Sequence, residues 1–335
     1  MTLLEDVSLQ EFNTLSIPAR AAYFAEVVSA ADIERILANP ALATLPRLVL
    51  GGGSNIVLRG DFPGVVLHIA LRGIEVEENG TQRLLKVAAG ENWDALVRHC
   101  LAQGWYGIEN LISIPGSAGA APIQNIGAYG VELADVLVAV SGWDLNTQQW
   151  RRLSAEQCQL GYRTSVFKAA MQDRFIITEI ELRLSTEAQP NVSYAALNEV
   201  LSDSESVTPE SVAEAVAAVR ASRLPDYRTE PNAGSFFKNP IVSAGRASVL
   251  KQQFPQLVTW PMADGRVKLA AAWLVEQCGW KGRRQGEVGI HPRQAIVLVN
   301  YGRAKGAEVL ALAEAIQHSV AETFGVSLEI EPRLY

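Results

Sequence analysis

From Ile114 to Gly130 the chain reads IPGSAGAAPIQNIGAYG, where only the isoleucines, Gln124, Asn125 and Tyr129 carry side chains larger than proline's. Such a run buries too little apolar surface to build a core of its own. It belongs where another backbone or a flat ligand comes close. The two amides in its middle can each donate and accept, which suits the edge of a heteroaromatic ring or a ribose. Two readings stand: backbones packed tightly on one another, or a wall against a planar cofactor.

Two further segments share this character. Gly51, Gly52 and Gly53 follow the apolar run PRLVL and lead into Ser54 and Asn55. Consecutive glycines suit a tight turn, their commoner use, or a cradle in which bare backbone N–H groups converge on an anion. The pattern is neither GxGxxG opening a helix nor GxxxxGK[ST], since IVLRG after it reads as strand, and Rossmann and P-loop sites are excluded. In Asn232-Ala233-Gly234-Ser235-Phe236-Phe237-Lys238-Asn239-Pro240, Ser235 follows a glycine. GxSxG is absent and no His or Asp stands nearby, which argues against a nucleophile elbow. A buried, hydrogen-bonded serine is the first reading, and a proton relay flanked by Lys238 and Asn239 the second.

Apolar runs and turn residues divide the chain into units. The first, 1–71, holds AAYFAEVVS as strand, a helix over Asp32–Ala38 capped by Ser29 and closed by Pro40, then PRLVL, IVLRG and GVVLHIA as strands. The second, 72–207, opens with the strand LLKVAAG. A helix follows with Trp93, Leu96, Val97, Cys100 and Leu101 on one face and Gly104 at its end, and then the strands VLVAVSGWDL, QWRRL and RFIITEIELRL. SDSESVTPES, at 202–211, reads as a linker running into a helix that Thr208 caps and Pro209 begins, with Val212, Val216 and Val219 on one face. This starts a third unit, 208–327. Its last helix, from about Ala304 to Phe324, aligns Val309, Leu312, Ala313, Ile316 and Val320 ahead of Gly325, and VSLEIEPRLY ends the chain as a strand. Many strands with few long helices argue against a doubly wound parallel sheet.

Composition removes several classes of function. A chain of 335 residues, 48% hydrophobic and 19% charged, is a folded protein of two or three domains. Lys and Arg number 29 against 36 Asp and Glu, a net charge of −7. No positive field is available for nucleic acid or an anionic membrane, so neither is an expected partner. No basic leader with an apolar run, and no apolar stretch of roughly 18 residues, is present, so a cytoplasmic location is expected. Cys100, Cys158 and Cys278, like His68, His99, His291 and His318, are scattered without metal-ligand spacing, and no metal is expected.

Taken together and in order, the segments resemble the MurB family of UDP-N-acetylenolpyruvoylglucosamine reductases, over essentially the whole chain. The resemblance is carried by Asn13-Thr14-Leu15, LGGGSN at Leu50–Asn55, IPGSAGAAPIQNIGAYG, Gly161-Tyr162-Arg163-Thr164-Ser165-Val166-Phe167-Lys168, NAGSFFKNP and the terminal Leu328-Glu329-Ile330-Glu331-Pro332-Arg333. It implies an α+β fold, with an FAD-binding domain of the vanillyl-alcohol-oxidase type in two α+β subdomains, 1–71 and 72–207. A substrate domain over 208–327 follows, with strand 328–335 joining the first subdomain.

By the same resemblance FAD is bound non-covalently. Its pyrophosphate lies along Gly51, Gly52, Gly53, Ser54 and Asn55 and the turn of Pro115, Gly116, Ser117 and Gly119, with Gln124, Asn125 and Gly127 near the flavin. The implied reaction is NADPH-dependent reduction of the enolpyruvyl ether of UDP-N-acetylglucosamine to UDP-N-acetylmuramate, a step of peptidoglycan synthesis. Hydride reaches the methylene carbon and leaves an enolate at the carbon bearing the carboxylate. Arg163 is expected to face that charge, Glu331 to hydrogen-bond to it, and Ser235 to protonate the carbon. Tyr194, Arg223, Lys238, Asn239 and Gln294 are expected to hold the substrate. Tyr194, in QPNVSYAAL, matches a subgroup whose tyrosine loop closes over bound substrate. A monomer acting on a small molecule is implied.

Departures from the family pattern are small: Arg223 stands where many members have lysine, Ala121 replaces a common glycine, and Glu230-Pro231 precede the serine motif where glycine is frequent. Two other functions compete. A flavin oxidase on the same fold has no need of an enolate-protonating set, and a nucleotide-sugar-binding protein with a decayed site has no reason to keep Arg163, Ser235 and Glu331 together.

Overall fold

The computed structural model describes residues 2–202 and 206–335. Part of the expected linker at 202–211 thus lies outside the described residues. The chain forms two compact units: one from the N-terminal residues to Val7 with Ala21–Gly52 and Pro63–Ala221, the other from Ser8–Arg20, Gly53–Phe62 and Ser222–Tyr335.

The first unit contains two sheets. A four-stranded sheet orders Leu3–Ser8, Arg20–Val27, Phe62–Ile69 and Arg47–Leu50, the last two parallel with Leu48 opposite Val66. The five-stranded sheet orders Gln149–Ser154, Leu137–Asp144, Phe175–Ser185, Gln82–Ala88 and Ile74–Asn79, antiparallel throughout. Phe175–Ser185 is central because its apolar residues find partners on both sides: Ile180 lies opposite Val140 on one neighbour and Val87 on the other. Such cross-strand pairs of β-branched residues fix the register of a sheet.

Helices cover these sheets as their caps dictate. Ala30–Ala38 begins where the Asp32 carboxylate accepts the Ser29 backbone N–H at 2.9 Å. Trp93–Ala102 begins where Asn92 Oδ1 accepts the Ala95 N–H at 2.9 Å, and it buries Trp93, Leu96, Val97 and Cys100. Pro209–Arg223, the expected start of the substrate domain, buries Val212, Ala213, Ala215 and Val216 in the same core as Trp93 and Ile180. The compact division therefore falls after Ala221.

The second unit has shorter strands. Asn232–Ser235, Val297–Asn300, Val288–Ile290 and Arg284–Gln285 form one antiparallel sheet in that order, and Ile241–Val242, Val267–Leu269 and Thr259–Pro261 a second. The helix Gly306–Phe324 buries Val309, Leu312, Ala313, Ile316 and Val320, as its spacing predicts, and Phe324 closes on Phe254 and Trp273. Each large apolar side chain so buried contributes about 1.5–3 kcal/mol.

The last ten residues are less regular than the expected strand. Arg333–Leu334 alone pair as a ladder, parallel to Ile56–Val57. Upstream, Glu329 O and Glu331 N bond to Lys238 N and Phe236 O, the Gln317 side chain takes Leu328 O, and Pro332 has no N–H.

Candidate functional site

The small-residue segment is pinned at three points of the first unit. Gly116 O accepts from Trp93 N at 3.0 Å, Ala118 N donates to Glu91 O at 2.8 Å, and Gly119 N to Ala89 O at 2.8 Å. A Cβ on Gly52 would stand 2.9 Å from the Gly116 Cα, and one on Gly119 2.5 Å from the Ala89 Cβ. Backbones therefore touch where the sequence allowed either packing or a ligand wall. Loops this bare, with Gly51 and Gly52 set against Gly116 and Ser117, fit a pyrophosphate, which needs backbone N–H groups and close approach.

The two amides of that segment differ. Asn125 is buried with φ +47°; its Nδ2 donates to Glu132 at 2.7 Å and to Gly161 O at 3.2 Å, and its Oδ1 accepts from Ala134 N at 3.0 Å. Both of its donor hydrogens are spent inside the protein, so its side chain ties the framework at this point. Gln124 is half-buried beside it, and Gly127 begins the short pairing with Glu132.

Asn125 is also what positions Arg163. Gly161 and Thr164 exchange two 3.1 Å backbone bonds, and the turn they close carries Arg163 at φ +54°. Ser165 Oγ ties the following residue to Ile123 O at 2.6 Å. The motif Gly161–Lys168 and the small-residue segment thus form one hydrogen-bonded body.

A side chain passed over in the sequence belongs to this region. Arg220 of the helix Pro209–Arg223 has its pKa lowered, first by burial and also by Arg163, while Tyr129 and Asp94 oppose the shift; its Nε is buried without a partner. Leaving a buried guanidinium Nε without an acceptor is costly. The available signal was its spacing, four residues after Val216 on the apolar face. Tyr194 caps the helix Ala195–Leu201, its ring 5.2 Å from that of Tyr129.

In the second unit, Gly53 takes φ +59°, and a Cβ there would lie 2.0 Å from Phe12 O. Gly53 O accepts from Thr14 N at 3.1 Å, and the Thr14 hydroxyl is buried without a partner, as a residue awaiting a ligand would be. Asn13 builds this loop through bonds to Leu9 O, Ile17 O and Ile17 N. Asn55 O accepts from Arg333 N at 2.9 Å, with Ser54 half-buried before it.

Ser235 ends the strand Asn232–Ser235 opposite Val297, and buried Phe236 and Phe237 fix the chain after it. Phe236 O accepts from Glu331 N at 2.9 Å, and Phe237 bridges to Ile330, so Ser235 and Glu331 stand on adjoining segments. Gln294 lies in the turn beside this pair, where Phe236 N donates to Ile296 O at 2.7 Å. Lys238 pairs with Glu329. Asn239 spends its Oδ1 on the N–H of Ala271, the first residue of a helix. Arg223 is exposed at its helix end. Cys100 and Cys158 have thiols pushed up by burial to about 12 and about 11, which makes them inert as nucleophiles at neutral pH.

Comparison with known proteins decides between the readings. Residues 21–149 match the model of an FAD binding domain, and residues 226–335 that of the UDP-N-acetylenolpyruvoylglucosamine reductase C-terminal domain. A UDP-N-acetylenolpyruvoylglucosamine reductase of Chromobacterium violaceum is 48% identical over 331 residues, 98% of this chain and 97% of its own length. One from Pseudomonas fluorescens is 46% identical, covering 98% of each. The chain belongs to the MurB family. The crystal structure of the MurB reductase from Thermus caldophilus matches over 100% of both chains, at TM-score 0.69 and 25% identity. A 6-hydroxy-D-nicotine oxidase from Arthrobacter nicotinovorans, 15% identical at TM-score 0.54 over 97% of this chain and 86% of its own, shares the fold. This MurB-family chain is thus α+β, with an FAD-binding domain of the vanillyl-alcohol-oxidase type and a C-terminal α+β domain. FAD is its cofactor, and the matched domain contains both glycine loops.

Proposed function

We propose that this FAD-dependent oxidoreductase reduces UDP-N-acetylglucosamine enolpyruvate to UDP-N-acetylmuramate for peptidoglycan synthesis, with NADPH as hydride donor. The observation that carries the reading is the end-to-end likeness to reductases of that name. Bound FAD supplies a two-electron relay between nicotinamide and substrate. Gly51–Asn55 and Pro115–Gly119 hold its pyrophosphate, and Gln124, Asn125 and Gly127 lie by the flavin.

The remaining chemistry is that of side chains. Hydride addition to the methylene carbon leaves negative charge next to the substrate carboxylate, and Arg163, on its rigid turn, offsets it. Ser235 delivers a proton to that carbon, and Glu331, in its protonated form, donates a hydrogen bond to the developing enolate. The 2.9 Å bond from Glu331 N to Phe236 O supports a joint role for the two. Tyr194, Arg223, Lys238, Asn239 and Gln294 hold the diphosphate and sugars. We further assign flavin binding to two subdomains, 1–71 joined by segment 328–335 and 72–207, and a substrate domain to 208–327. The protein acts as a cytoplasmic monomer without nucleic acid or membrane. Among the described residues no helix is long and apolar enough to cross a membrane.

The test is the visible spectrum of the anaerobic protein. Flavin absorbance that bleaches with NADPH and returns on adding the enolpyruvyl sugar is expected; absorbance that bleaches and does not return would mean another acceptor.

A further inference from the structure

Asn110 is 1% exposed, yet it belongs to no strand ladder and caps no long helix. Its Nδ2 donates to two carbonyls distant in sequence, Tyr129 O at 2.9 Å and Asn191 O at 2.9 Å, and its buried Oδ1 has no partner. Burying an amide with its acceptor unmet is unfavourable, so the two donated bonds must be what the position provides. One goes to the turn Tyr129–Gly130 at the end of the small-residue segment. The other goes to the strap that leads to Tyr194.

The strap meets that turn at its outer side too. Asn191 Nδ2 donates to Gly130 O at 3.2 Å, and Asn191 Oδ1 accepts from the Ser193 N–H at 3.0 Å and hydroxyl at 2.7 Å. The rings of Tyr129 and Tyr194 meet edge to face above. These outer contacts are exposed and open to competition from water, whereas the Asn110 bonds are sheltered. We infer that Asn110 is a positioning residue: a buried clasp that anchors the base of the Tyr194 strap, at Asn191, against Tyr129–Gly130, the fixed point from which Tyr194 closes over substrate. The inference rests on the reading of Tyr194 as a substrate residue.

Two measurements test it. Asn110→Ala is expected to raise KM for the enolpyruvyl sugar about tenfold, the equivalent of one such hydrogen bond, with kcat within about twofold. Backbone amides at 191–194 should exchange faster with solvent in the variant. In a Tyr194→Ala background, Asn110→Ala should add no further increase in KM, because the clasp then has nothing to position. Asn191→Ala, an exposed change that leaves the core intact, should move KM and exchange in the same direction by less. Unchanged KM and exchange in both single variants, or full additivity in the double variant, would overturn the clasp. Should the native protein not turn over the sugar, the functional reading has failed, and the exchange rates alone decide whether Asn110 holds the strap.

Discussion

The two units are built by different means. In the first, the backbone does most of it: long strands fix a bare segment, Gly52 abuts Gly116, and Asn125 ties the Arg163 turn, through Gly161 O, to Glu132 and Ala134. In the second, strands of two to four residues bring the segments that carry Ser235 and Glu331 side by side, and single backbone bonds such as Glu331 N to Phe236 O keep them there. A planar cofactor calls for a surface without side chains, and protonation of a carbon for placed ones. Damage to the first unit should cost cofactor or charge stabilisation, and damage to the second should cost proton delivery with the cofactor kept.

The largest effect expected is from Gly52→Val. Its branched side chain meets the Gly116 backbone, which cannot swing aside as a side chain would, so the purified protein should lose FAD almost completely while its circular dichroism stays native. Retention of stoichiometric flavin would mean that the cradle lies elsewhere. Next is Arg163→Met, expected to keep FAD and lower turnover by about 10²–10³, the size typical of removing one stabilising donor in a transition state. A loss of flavin in that variant would make Arg163 part of the cradle and blur the contrast between the units.

The smallest effect is on pH dependence. Burial first, and Arg293 in addition, lowers the His291 pKa, against an opposing Glu230; burial and Arg72 lower that of His68 against Glu26. The folded chain therefore binds fewer protons than the unfolded chain below the ordinary histidine pKa of about 6.5. Stability should fall as the pH drops from about 7.5 through that range, read as a lower urea midpoint, and His291→Gln should flatten the slope. An unchanged midpoint between about pH 7.5 and 5.5 would contradict both shifts.

Much of this architecture was legible because local rules and tertiary needs agree. Ser29 and Thr208 cap where expected, and the face Val309–Val320 is buried as its spacing requires. The terminal strand was overestimated because periodicity does not show that Glu329 and Glu331 spend their backbone groups on Lys238 and Phe236. The framework bonds of Asn125 were not legible because an amide among glycines looks the same whether it faces a ligand or ties three loops together. Arg220 and Asn110 were missed because burial of a polar side chain depends on contacts distant in sequence, such as Asn110 with Asn191.

The division of labour is tested most directly by rapid mixing of Ser235→Ala. Flavin reduction by NADPH should proceed within about twofold of the native rate, while reoxidation by the enolpyruvyl sugar slows by about 10²–10⁴, the range for loss of a general acid. Equal slowing of both half-reactions, or a native rate of reoxidation, would contradict the assignment of proton delivery to the second unit.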